Sequence, residues 1–166
     1  METSHAPGTC VESLTESELF TVCAARIYRE TREHPASGCT CLPRIFSAAQ
    51  MATALPPFMQ LQVALSVDPE QTITYEDRCA RFIGSGEMTL MRALSAWQRD
   101  PAQDPQSALW FIPVRAIRRV ASDAGRIFAL EMAAVGLLLP DHWARRIQPS
   151  SLTTEATRAH GLRRVH

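Results

Sequence analysis

Phe58-Met59-Gln60-Leu61-Gln62-Val63-Ala64-Leu65-Ser66-Val67 is the stretch on which the fold class turns. Every odd position from Met59 to Val67 is apolar, with Gln60, Gln62, Ala64 and Ser66 in between. A strict period of two sends successive side chains to opposite faces of a pleated strand, so the pattern predicts a β-strand with one buried and one wetter face. Asp68-Pro69-Glu70-Gln71 supplies turn residues, and Thr72–Tyr75 returns as a short antiparallel partner through Ile73 and Tyr75. A two-stranded ribbon is marginal by itself and has to lean on helices. The expected fold is therefore α+β: four to five helices packed on a small, mainly antiparallel sheet with strands near 58–67 and 72–75.

Working outward, the helices announce themselves by their ends. Upstream, Leu14-Thr15-Glu16-Ser17-Glu18-Leu19 has a capping box in Thr15 and Glu18, closed by a staple of Leu14 on Leu19. The helix it starts should run to about Glu33, where His34-Pro35 stops it, and should bury Leu19, Phe20, Cys23 and Ile27. Pro43 opens a short helix, Arg44–Leu55, which Pro56-Pro57 terminates. Downstream, Gly84-Ser85-Gly86 precedes an amphipathic helix, Glu87–Arg99, with Leu90, Met91, Leu94 and Trp97 inward.

Ala108–Pro140 holds the longest apolar run. With Pro113 as the first helical residue, 100° per residue aligns Ile117, Val120, Ala121, Ala124, Ile127, Phe128, Val135 and Leu138 in one stripe. From Ala129 the segment is apolar all round, which predicts a C-terminal half buried on every side. Gly125 is a candidate kink, and Pro140 the end. The window from Ile127 to Leu139 is too short to span a bilayer, which needs roughly 20 apolar residues. Asp141–Ile147 adds a turn of helix with Trp143. These elements divide the chain into a flexible leader at 1–12, one globular domain at 13–148 and a flexible basic tail at 149–166.

The composition, 46% hydrophobic and 20% charged, is that of a soluble globular chain. All seventeen basic residues are Arg, and the net charge is zero. Charge is uneven along the chain: eight Arg against twelve acids in residues 1–100, and nine against five in residues 101–166. The two parts attract each other, or the second part offers a basic binding surface. The N-terminal residues lack a basic region followed by an apolar stretch, so no secretory signal is expected. Five cysteines, an odd number, suit thiols in the cytoplasm better than a disulfide framework.

Four groups of residues invite a chemical reading. Arg115, Arg118, Arg119 and Arg126 share a helix side and are followed by Arg145 and Arg146, a pattern that tracks phosphates or meets a protein partner. Glu131 falls within the predicted buried stripe, where a carboxylate must find an Arg or turn neutral, as catalytic acids do. Cys39 and Cys41, with His34 nearby, provide zinc-ligand types but only one tight pair where structural sites use two. Gly84-Ser85-Gly86 before a helix resembles an anion-binding turn, yet Glu87 would sit as a like charge beside the anion. No nucleophile-elbow, zinc-protease or paired-carboxylate motif is present, and no cofactor fingerprint. The sequence therefore reads as a small non-enzymatic accessory or regulatory protein acting through protein contacts, without cofactor, metal or membrane. A nucleic-acid-binding regulator using the Arg face and basic tail is the second class. A small enzyme using Glu131 or a cysteine is the third.

Overall fold

Thr15 and Glu18 form the capping box that their spacing requires. The computed structural model describes residues 8–34, 41–67, 73–100 and 108–144. In it the Thr15 amide donates to Glu18 Oε2 at 2.7 Å, and the Glu18 amide reaches back to Thr15 Oγ1. Helix α1 then runs Glu16–Glu33 and ends at His34. It is followed by α2 (Cys41–Ala48), α3 (Leu55–Leu65), α4 (Ser85–Arg99), α5 (Arg115–Ala134) and a single turn, α6 (Asp141–Ala144).

About 71% of the described residues are helical and none lies in a strand, which overturns the α+β expectation. The deciding stretch is α3. Phe58, Leu61, Gln62 and Leu65 are buried, at the i, i+3, i+4, i+7 spacing of a helix face, while Val63 and Val67 are exposed. Leu61 and Leu65 satisfy both periods, which is why alternation alone misleads. Pro56-Pro57 are the better signal: Pro56 sits at the start of α3, where its missing N–H costs nothing, so the prolines begin a helix instead of ending one. Helix α2 has already stopped at Ala48. Of the proposed partner strand, Thr72 and the turn before it lie outside the described residues, and 73–77 is irregular.

Aromatic rings join the helices at the centre. Phe46 of α2 and Phe58 of α3 have centroids 5.2 Å apart, and Phe58 meets Phe128 of α5 at 5.1 Å. Phe20 of α1 closes on Phe46 at 5.3 Å. Helix α5 is unbroken at Gly125, contrary to the expected kink. The glycine is there for packing: a Cβ would lie 2.2 Å from a ring atom of Trp97, so α4 lays its indole directly on the α5 backbone. Pro140 does not end α5. The helix closes five residues after Ala129 in a Schellman motif, with Gly136 at φ +84 and Leu137 N–H bonded to Met132 O.

The irregular segment 73–84 belongs to no sheet; Val11 N–H bonds Arg81 O, Ile83 N–H bonds Thr9 O, Arg29 reaches Tyr75 O, and two buried side chains take much of the rest. Glu87, fully buried, accepts the Glu76 amide at 2.8 Å and the Gly84 amide at 2.7 Å, capping α4. Arg26, also buried, donates Nε to Glu87 at 3.0 Å, Nη1 to Ala80 O and Nη2 to Phe82 O. Gly86 lets the segment close on α4, since a Cβ there would lie 2.0 Å from Thr74 O. An isolated bridge joins Cys10 to Phe82. The expected inward face of α1 is rotated accordingly: Leu19 and Cys23 are exposed, while Glu18 and Arg26 are buried because each has its partners.

Two consequences can be measured by denaturant unfolding. Gly125→Val forces a side chain into the Trp97 ring and should cost about 1–3 kcal/mol, the usual range for overpacking. Arg26→Leu leaves Glu87 buried beside fewer donors and should cost about 3–5 kcal/mol.

Candidate functional site

The four groups singled out in the sequence do not converge. Arg118 folds back onto the start of its own helix and donates Nε to Ile112 O at 2.7 Å. Arg119 lies within 4.0 Å of Asp123, one turn on. Arg115 is exposed and Arg126 half-buried, on the same side of α5 as Arg119. Arg145 and Arg146 lie outside the described residues, as does Cys39. Cys41 starts α2 and His34 ends α1. Among the described residues no three His, Cys, Asp or Glu side chains come together as a metal site. Nor is any described helix long and apolar enough to cross a membrane.

Glu131 is not the buried acid expected. It is half-exposed, and Thr53 donates to it at 3.3 Å across the α5 surface. The reason is rotation of the helix. Ala121, Ala124, Gly125, Phe128, Ala129 and Met132 face the core, so Val120, Ile127 and Glu131 turn outward. Among the described residues the buried acids are Glu18 and Glu87, which their capping positions place at helix starts. Trp143 donates Nε1 to Glu18 Oε1 at 2.6 Å, tying α6 to α1. Glu87 occupies the Gly84 amide, so the glycine turn already holds a carboxylate where an anion would bind.

This rotation gives α5 an outer face of unusual make-up. Val120, Ile127 and Leu130 are exposed, Ile127 by 52%, against the expectation that Val120 and Ile127 lie in the buried stripe and Leu130 in the part buried all round. At 100° per residue they form a strip with Ala116 and Ala134, interrupted by the exposed Asp123, with Arg115, Arg119 and Arg126 along one edge. Trp110, 72% exposed, and Val114 precede the helix, and Leu138 follows it, 61% exposed. Singly exposed apolar residues are ordinary, whereas a row of them marks a contact surface.

A second feature lies between α1, α3 and the irregular segment. A cleft of about 520 Å³ is lined by Tyr28, Arg32, Gln62, Leu65, Ile73 and Tyr75, among others. At its wall the Tyr75 hydroxyl donates to Gln62 Oε1 at 2.7 Å. Gln62 is 1% exposed, and its Nε2 has no hydrogen-bond partner among the described residues. The alternation that suggested a strand had placed Gln62 on the wet face, so this residue was missed. Its helical register with Phe58 and Leu65 was the available signal. Burial pushes the Tyr75 hydroxyl well above the ordinary tyrosine value.

Comparison with known families, characterised proteins and solved structures finds no match, so function has to be argued from geometry.

The Tyr75 shift has a definite sign. Above about pH 10 an unfolded tyrosine loses its proton while folded Tyr75 keeps it, so the folded state binds more protons and stability falls as pH rises. Unfolding free energies between about pH 8 and pH 11 should show this alkaline loss, and Tyr75→Phe should make its slope shallower.

Proposed function

We propose that this chain is a non-enzymatic accessory or regulatory protein of the cytoplasm that docks a protein partner on the outer face of α5. The observation that carries the reading is the row Val120, Ile127 and Leu130, exposed beside an arginine edge. An amphipathic helix packs an apolar row into such a strip, reading the i, i+3, i+4, i+7 pattern. Arg115, Arg119 and Arg126 select acidic residues along one side of that helix, because rim charges set partner choice. Trp110 adds an aromatic anchor of the kind enriched at interfaces.

Charge complementarity favours a separate partner over the chain's own C-terminal residues. Residues 145–166 contain five Arg and a single acid, Glu155, which repel the arginine edge. The same apolar row weighs against nucleic acid, whose backbone asks for cations and backbone amides along its track. One of the four arginines, Arg118, is also committed to Ile112 O.

The test uses the full chain and a fluorescein-labelled synthetic helix with Leu at helical spacing and Glu on its flanks, read by anisotropy. The Glu peptide should bind, and a version with Lys in place of Glu should not. Ile127→Asp and Leu130→Asp should each weaken binding about tenfold or more, equivalent to roughly 1.4 kcal/mol. Thermal stability should hold, since both side chains are on the surface. Equal binding of the Lys peptide sinks the proposal. Tight retention of duplex DNA at physiological salt, unaffected by Ile127→Asp, replaces it with the nucleic-acid class.

A further inference from the structure

The cleft beside Tyr75 carries a second, independent reading. Its polar end is a buried amide whose two ends are unequally treated. Gln62 Oε1 accepts from the Tyr75 hydroxyl, and Gln62 Nε2 is left with nothing to donate to among the described residues. A buried donor without a partner costs about 1–3 kcal/mol, so a native chain that retains one has a use for it or a molecule to satisfy it. Gln62 is among the residues that line the cleft, so a molecule entering there can supply the missing acceptor.

The charges around the cleft decide which acceptor. Arg29 is held by Glu33 at 2.7 Å, by Asp77 at 3.1 Å and by Tyr75 O at 2.6 Å, so its donors are already engaged. Glu76 is turned toward the start of α4, where its Oε1 lies close beside Gly84. Arg32, exposed in the last turn of α1, has no ion pair among the described residues. Among the described residues one guanidinium and one amide donor therefore remain uncommitted, with Tyr28, Leu65 and Ile73 providing apolar wall. The volume, about 520 Å³, lies in the range of small-molecule pockets.

We propose that this cleft binds a small organic carboxylate with an apolar body. The carboxylate accepts from Gln62 Nε2 and faces Arg32, and the body lies against Tyr28, Leu65 and Ile73. This site is separate from the α5 face, and neither reading depends on the other.

The experiment is calorimetric titration of the full chain with three probes of one shape: 3-phenylpropionate, 3-phenylpropionamide and 3-phenylpropylamine. The acid should bind best, the amide more weakly, and the amine not at all. Arg32→Ala, a surface change, should weaken the acid about tenfold, within the range for a charge-assisted contact, and leave the amide unchanged. The double variant Gln62→Met with Tyr75→Phe removes the amide without stranding the hydroxyl, so it should fold and should bind neither acid nor amide. Absence of saturable binding by the acid overturns the proposal, as does an amine that binds equally well. Wild-type affinity of the acid in Arg32→Ala overturns it too, and that result stands even if the double variant fails to fold.

Discussion

The Arg26–Glu87 pair holds together a part of the chain that has no regular structure of its own. Segment 73–84 passes between helices without a strand beside it, and its amides and carbonyls need partners. Glu87 collects the Glu76 and Gly84 amides, and Arg26 supplies donors to the Ala80 and Phe82 carbonyls. Joined at 3.0 Å, the two side chains tie α1 to α4 through that segment. Each charge is buried with its hydrogen bonds made, the condition under which a buried ion pair is tolerated. Glu18 repeats the device at the start of α1, where it caps that helix and accepts from Trp143 of α6. Two helix-capping glutamates thus serve as tertiary anchors as well as local caps.

Helix α5 carries the molecule's clearest division of labour. Small residues, Ala121, Ala124, Gly125 and Ala129, let α4 and α3 approach, while Phe128 and Met132 fill the space between. With the core satisfied on one side, the larger aliphatic residues Val120, Ile127 and Leu130 are left on the other. A fold that buries its small residues and exposes larger ones on the same helix leaves apolar area for something else to cover. That is the physical content of the protein-contact reading.

The cleft and the α5 face illustrate different ways in which a site stays hidden in a sequence. The face was visible as apolar residues but assigned to the core, because Val120 and Ile127 lie about 80–120° from Ala121 and Phe128 around the helix, close to the width of an ordinary apolar stripe. The cleft was invisible because Gln62 counts as polar in any pattern, and only its partners show that it is buried. Arg26 was missed for the same reason: its acceptors are one glutamate and two carbonyls far along the chain.

What the residues determined by themselves is local. Thr15 with Glu18, the stop at His34-Pro35, and the inward row Leu90, Met91, Leu94 and Trp97 each depend on neighbours within a turn or two of helix. Such interactions can be read from spacing because the helix places i and i+3 or i+4 together. Tertiary structure alone decided the rest. It chose helix over strand for Phe58–Val67, where both periods share Leu61 and Leu65, because the aromatic packing of Phe58 with Phe46 and Phe128 needs a helical face and no partner strand forms among the described residues. It also set the rotation of α5, through the contact of Trp97 on Gly125, and so turned Glu131 outward and left Ile127 in solvent.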